Sequence, residues 1–378
     1  MIQVVHVISD LDAGGAEVML AKLVGRMDRN KFSNSVVSLT DCGPVGKQIE
    51  SLGVAVHTLG MKRGQPGVGA VFRLIRLLRT LKPAIVQSWL YHADILSTVT
   101  ARFSRSPILI WNVRCSDMDL NKYPPLTRLV QRVLAWWSAV PAAVIVNSEA
   151  GKRQHERLGY QPRRWDVIPN GFDTQRFRPD SSLRLVCRKE WQVADDAVVV
   201  ALVARVDPMK DHATFLKAAQ QIVRARDNAY FILVGRGTET LSSDVAAKGL
   251  RGRVRLLGYR DDVEHLLPGA DVACLSSAFG EGFPNVLGEA MACGIPCVST
   301  DVGDARKIIG DTGRIVPVCD PTGLANAVID LIDRGRAERE SLGSAARERI
   351  EAEYSLSAVV DRYCALYSEL AGLSARTS

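Results

Sequence analysis

Short runs of β-branched residues alternate along the chain with stretches whose apolar positions recur at helical spacing, the pattern of parallel sheets wound by helices. In the first half the runs predict strands over Val4–Ile8, Ser35–Leu39, Val54–Thr58, Ile85–Ser88, Ile108–Val113 and Ala143–Asn147. Helices are predicted to begin between them, near Ala16, Val45, Val68, Ala93, Pro125 and Ser148. The second half repeats the theme with strands over Val198–Val203, Tyr230–Val234, Val254–Leu257, Val272–Leu275, Cys297–Thr300 and Arg314–Val316. Between the halves, Ile168-Pro169-Asn170-Gly171 is a turn of the kind that joins domains, and the boundary is placed there. A last helix is expected from about Ser357 to Leu370, where Val359, Val360, Tyr363, Leu366, Tyr367 and Leu370 recur at helical spacing.

With 378 residues, 47% of them hydrophobic and 24% charged, the chain is long enough for two ordinary domains with filled cores. No apolar run approaches the roughly 18–20 residues of a membrane span. The apolar start, Met1 to Ile8, lacks a basic leader and reaches Asp10 too soon for a signal peptide. It reads as a first buried strand, and a cytoplasmic location is expected. The eight cysteines show no CxxC spacing of a zinc site, so free buried thiols are expected.

Charge adds a direction. Residues 1–170 hold 22 Lys and Arg against 12 Asp and Glu, a balance of +10, while the remainder stands at −3. A basic half implies an anionic partner. Nucleic acid is set aside, because no aromatic–basic binding motif accompanies the charge. An anionic membrane surface, or a lipid pyrophosphate within it, fits better.

The densest chemistry lies in Gly280-Glu281-Gly282-Phe283-Pro284-Asn285, which runs into Val286-Leu287-Gly288-Glu289-Ala290-Met291-Ala292. It reads as a loop carrying one carboxylate, then a helix beginning at Pro284 with a second carboxylate on its second turn. Proline suits a first helical position because its missing N–H would be unpaired there anyway. The free N–H groups of that turn, with about half a unit of positive charge, favour a phosphate. A carboxylate beside a phosphate needs another partner, and sugar or ribose hydroxyls are the obvious donors. Glu281 and Glu289, eight positions apart, can serve two different sugars. The segment looks built for a sugar nucleotide.

Arg205 and Lys210, five residues apart, follow the first strand of the second half, where ligands bind in open α/β sheets. Two cations there would stabilise charge developing on a departing nucleoside diphosphate. Near the start, Gly14-Gly15 joins the first strand to the first helix, lets the backbone approach a ligand closely and opens a helix N-terminus to it. Neither the dinucleotide fingerprint nor a Walker A sequence occurs.

Glu281 and Glu289, followed by Ala-Met-Ala-x-Gly-x-Pro, resemble the signature of retaining glycosyltransferase family 4, the group 1 glycosyltransferases. The resemblance spans nearly the whole chain and is sharpest from Arg205 to Pro296. It implies the GT-B fold: two doubly wound, Rossmann-like α/β domains facing each other across a cleft. Residues 1–170 would form the acceptor-side domain and 171–356 the nucleotide-sugar domain. A C-terminal helix over about 357–378 would pack back on the first. The implied reaction moves a hexose from a nucleotide diphosphate donor, with a UDP-sugar favoured and the anomeric configuration retained. The expected acceptor is a saccharide, lipid-linked, in cell-surface polysaccharide synthesis.

By the same resemblance, Glu281 would bind donor hydroxyls and stabilise charge near the anomeric centre. Arg205 and Lys210 would hold the leaving diphosphate, Glu289 the ribose, and Gly282, Phe283, Pro284 and Asn285 would frame the donor. Gly14 and Gly15 would face the diphosphate and acceptor, and the loops at Gly235-Arg236-Gly237 and Gly258-Tyr259 the base. Many members place a His where this chain has Arg114, which is expected instead to meet an acceptor phosphate or carboxylate. His92 stands open between a ligand for sugar hydroxyls and a helix cap. No cofactor and no metal are expected. Two D-x-D pairs, Asp10 with Asp12 and Asp117 with Asp119, are set aside because cations and a helix dipole do a metal's work in this family. Two other readings stay open: an inverting transferase or 2-epimerase on the same architecture, and a non-catalytic membrane-associated scaffold.

Two basic helical stretches bear on the membrane. One carries Arg73, Arg76 and Arg79 opposite apolar residues; the other carries Arg128 and Arg132 before Trp136-Trp137. Such helices either lie in a membrane interface, which would place the protein peripherally on the inner face, or cover a sheet with a solvated side.

Overall fold

The computed structural model describes residues 1–12, 14–62, 67–104, 107–114 and 125–377. The chain divides into two compact units, Met1–Gly171 with Leu356–Ser378, and Phe172–Ser355.

Unit 1 is built on seven strands: β1 (Ile2–Ile8), β2 (Phe32–Ser38), β3 (Ala55–Thr58), β4 (Ile85–Trp89), β5 (Ile108–Val113), β6 (Ala143–Val146) and β7 (Trp165–Val167). They lie in the order β3-β2-β1-β4-β5-β6-β7, all parallel. Helices on both faces bury the strands, so Val4 to Ile8 and all of β4 are inaccessible, with His6, Gln87 and Ser88 the polar members of otherwise apolar runs. The chain winds outward from β1 through β2 and β3, then returns to β4. The order reverses between β1 and β4, where strand ends open for a ligand. The helix Leu356–Thr377 completes this unit: Val359, Val360, Tyr363, Leu366 and Tyr367 share one core with Val4, Ile8, Ile85 and Ile110.

Unit 2 repeats the plan with β8 (Val198–Val203), β9 (Ala229–Val234), β10 (Val254–Leu256), β11 (Val272–Leu275), β12 (Cys297–Thr300) and β13 (Arg314–Val316). Their order is β10-β9-β8-β11-β12-β13, again all parallel, with the reversal between β8 and β11. Phe172, Trp191, Phe283, Leu287 and Met291 fill one side of the sheet; Phe215, Phe231, Leu324 and Leu331 fill the other.

Three local details differ from the sequence expectation. β2 starts at Phe32 rather than Ser35, and the edge strand β7 was not expected. Pro284 is the N-cap, at φ −70° and ψ 99°, of a helix whose first residue is Asn285. Cys187, Cys274, Cys293 and Cys297 are buried free thiols, and burial pushes Cys274 and Cys293 up to about 12. Asp117, Asp119 and Cys115 lie outside the described residues. Among the described residues, no helix is long and apolar enough to cross a membrane.

Candidate functional site

In unit 2 the site forms at the reversal of strand order. β8 leads through Ala204 to Asp207 into a 3-10 turn, Pro208–Lys210. The Asp207 carboxylate caps that turn by accepting from Met209 N at 2.9 Å. Asp211, at φ 46°, caps the helix His212–Ala225 by accepting from Thr214 N at 3.0 Å. Lys210 thus stands between two capped turns, which fix its backbone. Its ammonium reaches the loop after β11 and pairs with Glu281 Oε1, the oxygen that also accepts from Ser277 Oγ at 2.7 Å. Both side chains are well covered, at 15% exposure for Lys210 and 10% for Glu281. Glu281 Oε2 takes no hydrogen bond from any described residue.

The Glu281 loop is tied down along its length. Ala278 N donates to Met209 O at 2.8 Å, Ser276 Oγ to Lys210 O at 2.8 Å, and Thr300 Oγ1 to Ser277 O at 2.7 Å. Gly280 has φ +83°, and a β-carbon there would lie 2.3 Å from Met209 Sδ, so only glycine fits.

Arg205 is the open cation, 59% exposed, with Nε and Nη2 each 3.2 Å from Asp207 Oδ2. The Met209 N–H first, then Arg205 and Lys210, hold the Asp207 carboxyl below the usual range against partial burial. Without a ligand, each cation therefore has a carboxylate neighbour.

The helix Asn285–Ala292 begins beside this pair, and no side chain caps its start. Asn285 is exposed there, and Glu289 is half-buried on the second turn. Gly282 and Pro284 are buried. The Phe283 ring belongs to the core, stacked on Phe172 with centroids 6.0 Å apart, so this residue offers the site its main chain alone. Tyr259 is exposed on the loop after β10, with the Arg236 guanidinium 6.0 Å from its ring.

In unit 1, Gly14 is the N-cap of the helix Gly15–Arg26. A β-carbon on Gly14 would lie 2.2 Å from Glu17 Oε2, whereas one on Gly15 would meet nothing within 4 Å. Glu17 thus folds its carboxylate back over the start of its own helix. Burial chiefly raises its pKa; its own N–H and Arg114 oppose this, and Asp10 and Asp12 add to it. His92 is exposed at the second position of the helix Tyr91–Ala101, whose N-cap is Leu90 without a side-chain cap. The capping alternative for His92 is therefore dropped. Leu90 itself, at φ 71° and ψ 156°, sits in a region that only glycine enters without strain.

Arg114 is engaged inside the unit rather than free for an acceptor phosphate. Nη1 donates to Tyr363 Oη at 3.3 Å, Nη2 donates to Asn170 Oδ1, and the guanidinium lies 5.2 Å from the centre of the Trp89 ring. Of the residues named from sequence, the structure joins Lys210 with Glu281 and sets Arg205 beside Asp207. Ser277 and Asp207 were missed. The signals were present: a serine four residues before the key acid, and an Asp-Pro pair of the kind that opens a helical turn. Among the described residues, no three His, Cys, Asp or Glu side chains are grouped to hold a metal ion.

Residues 197–334 match the family model for glycosyl transferases group 1, and residues 13–176 match that for glycosyltransferase family 4. The chain belongs to glycosyltransferase family 4. This family 4 enzyme is 33% identical over 187 residues to N-acetyl-alpha-D-glucosaminyl L-malate synthase of Bacillus anthracis, a match covering 48% of each chain. It is 25% identical over 275 residues, 70% of each chain, to the UDP-Gal:alpha-D-GlcNAc-diphosphoundecaprenol alpha-1,3-galactosyltransferase of Escherichia coli. A crystal structure of HepE from Anabaena in complex with UDP is similar at TM-score 0.84 and 21% identity, over 97% of this chain and 100% of that one. The fold of the family 4 enzyme is GT-B, and its activity is glycosyl transfer from sugar-nucleotide donors.

Proposed function

We propose that the enzyme moves a hexose from a UDP-sugar to a lipid-linked saccharide, with retention at the anomeric carbon, in the assembly of a cell-surface polysaccharide. The observation that carries this reading is the Lys210–Glu281 pair across the β8–β11 reversal, with Glu281 Oε2 left open beside an uncapped helix start. Diphosphate oxygens compete with Glu281 for Lys210 and with Asp207 for Arg205. As the bond from the anomeric carbon to the phosphate oxygen breaks, the two cations and the N–H groups of the helix start stabilise the departing charge. Glu281 accepts from donor hydroxyls through Oε2, and Glu289 from the ribose. The acceptor hydroxyl forms the new bond on the same face, and its proton passes to the leaving phosphate oxygen. Protein cations carry the electrostatic work, so transfer persists in excess chelator.

The name of the E. coli relative supports a lipid-linked acceptor, and the UDP bound in HepE supports the uridine donor. A membrane surface is supported by unit 1. Arg76 and Phe72 stand exposed on the helix Val68–Leu81, and Arg132, Leu129 and the 81% exposed Trp136 on the helix Pro125–Trp137. Arg128 and Trp137 are partly buried and belong to the sheet-covering side, while Arg73 and Arg79 each donate to a carbonyl.

The test is a panel of nucleotide sugars incubated with the protein, followed by NMR assignment of the product anomer, with and without chelator. Retained configuration from a UDP-sugar is expected. An inverted product, a C2-epimerised donor, or activity abolished by chelator and restored by manganese would overturn the corresponding part of the proposal.

A further inference from the structure

Unit 2 holds a second charged pocket at the opposite edge of its sheet. Glu281 follows β11, but Asp271 immediately precedes β11 and Cys293 to Pro296 precede β12, so the pocket lies about 13 Å of strand away from the sugar-nucleotide site. Its volume is about 220 Å³, and Arg184, Arg336 and Arg339 line it.

Arg339 is the unusual member. It is only 8% exposed, yet no carboxylate among the described residues pairs with it. Nη1 donates to the last carbonyls of the helix Pro321–Asp333, those of Leu331 and Ile332, at 3.0 and 3.1 Å. Nε and Nη2 donate to no described residue and remain open to solvent. A guanidinium so largely covered, with two nitrogens left to solvent and no carboxylate on it, favours an anion that would complete it. Burial chiefly lowers its hold on the proton; Arg184 and Arg336 add to this, and Asp271 and Glu340 oppose it.

The acids around the pocket are committed elsewhere. Asp271 Oδ1 accepts from Arg184 at 2.7 Å, and its Oδ2 accepts from Arg188 at 3.1 Å and Val199 N at 2.7 Å. Asp180 Oδ1 caps the helix Ser181–Glu190 through Ser182 N and Leu183 N, each at 2.9 Å. Glu340 pairs with Arg336 at 2.7 Å, both side chains about two-thirds exposed at 63% and 67%, where solvent makes the pair weak and exchangeable. The lining thus holds three arginines and three acids, and Arg339 is the arginine that no acid among the described residues pairs with.

We propose that this pocket is a binding site for a small phosphorylated molecule, whose phosphate group is held by Arg339 and Arg336 with Arg184 at its side. Guanidinium forks match phosphate oxygens two at a time, which suits an anion entering between Arg336 and Arg339. The volume leaves room for an organic portion beyond the phosphate. Cys293 of the pocket wall ends the helix that carries Glu289, so an occupant would touch the far end of that helix.

Titration calorimetry with inorganic phosphate and with a hexose 6-phosphate, each against chloride at matched ionic strength, tests the site. Saturable binding is expected in the wild type and in Lys210→Ala, which removes the other candidate phosphate partner. Arg336→Glu should weaken it at least tenfold, Arg339→Gln should abolish it, and Glu340→Gln, which frees Arg336, should tighten it several-fold. Because Arg339 also holds a helix end, its variant can fail to fold; the exposed Arg336 and Glu340 variants decide the matter without it. Tighter binding of the hexose phosphate supports a metabolite as occupant, and equal binding supports free phosphate, both within the proposal. Absence of saturable binding, or binding lost in Lys210→Ala and kept in Arg336→Glu, would overturn it.

Discussion

In unit 1, the polar side chains around the switch strands are spent on one another. Trp89 Nε1 donates to His6 Nδ1 at 3.3 Å, His6 Nε2 donates to Asn34 Oδ1 at 3.1 Å, and Tyr367 Oη donates to Gln87 Oε1. Asn112 Nδ2 and Arg114 both donate to Tyr363 Oη, and Tyr363 stacks on Trp89 with 18° between the rings. In unit 2, the matching strand ends carry Arg205, Asp207, Lys210 and Glu281 on loops, paired through charges that a ligand can exchange. The same topology therefore serves two ends. Where the partner of a strand-end group is a helix of the same core, the group locks the fold; where it is another loop, the group stays available for chemistry.

The largest effect that can break this contrast is catalytic. Lys210→Ala or Arg205→Ala should lower turnover by about 10²–10³, as loss of one transition-state charge partner does. Replacing the exposed Arg205 should leave the melting temperature little changed, whereas Lys210→Ala also leaves the covered Glu281 carboxylate unpaired and lowers it. Near-wild-type turnover in either variant would remove the diphosphate from this site.

The next effect belongs to unit 1 and appears in stability against pH. Burial, only partly opposed by the bond to Asn34, lowers the His6 pKa from 6.5 to about 4. Folding thus favours the neutral ring. The stability it contributes is complete above pH 6.5 and is lost as pH falls towards 4, amounting to about 3 kcal/mol from about 1.36 kcal/mol per pKa unit. Denaturant titrations of wild type and His6→Gln between pH 7 and pH 4 check this; parallel curves would show that His6 is not the source.

Tyr363→Phe should be milder. It removes the oxygen that accepts from Asn112 and Arg114, at a cost of about 1–3 kcal/mol in stability. Turnover per folded molecule should change by less than tenfold, and a larger fall would draw the unit 1 network into the chemistry. Smallest is the membrane term, at roughly 1 kcal/mol for each basic side chain near an anionic leaflet. Co-sedimentation with anionic vesicles should fall in the variant Arg76→Gln, Arg132→Gln, Trp136→Ser, and should fall in wild type with added salt. Equal recovery of both proteins would take the membrane out of the account.

Much of the fold is legible because parallel strands buried on both faces are apolar along most of their length, as Val198–Val203 is along all of it. β7 escapes that rule: Trp165–Val167 is three residues at a sheet edge, half-buried, next to Arg163 and Arg164. The acids and cations of unit 2 were legible as types at fixed spacing, but their pairing was not, since Lys210 and Glu281 are 71 positions apart. Nothing near Arg114 in the chain announces Asn170, 56 positions on, or Tyr363, 249 positions on. The neighbours of Phe283 in the chain point to the donor, and the packing of its ring on Phe172 leaves the main chain for that role.

The helix Leu356–Thr377 also sets a timetable for synthesis. The residues that finish the first unit leave the ribosome only after residues 172–355, a delay of about 10–40 s at roughly 5–20 residues per second. Throughout that interval the face formed by Ile8, Ile85 and Ile110 lacks its cover, and Gln87 and Asn112 lack their tyrosines. The nascent first unit is thus an unfinished sheet, open to chaperones and to aggregation, until the last turns of the chain arrive to close it.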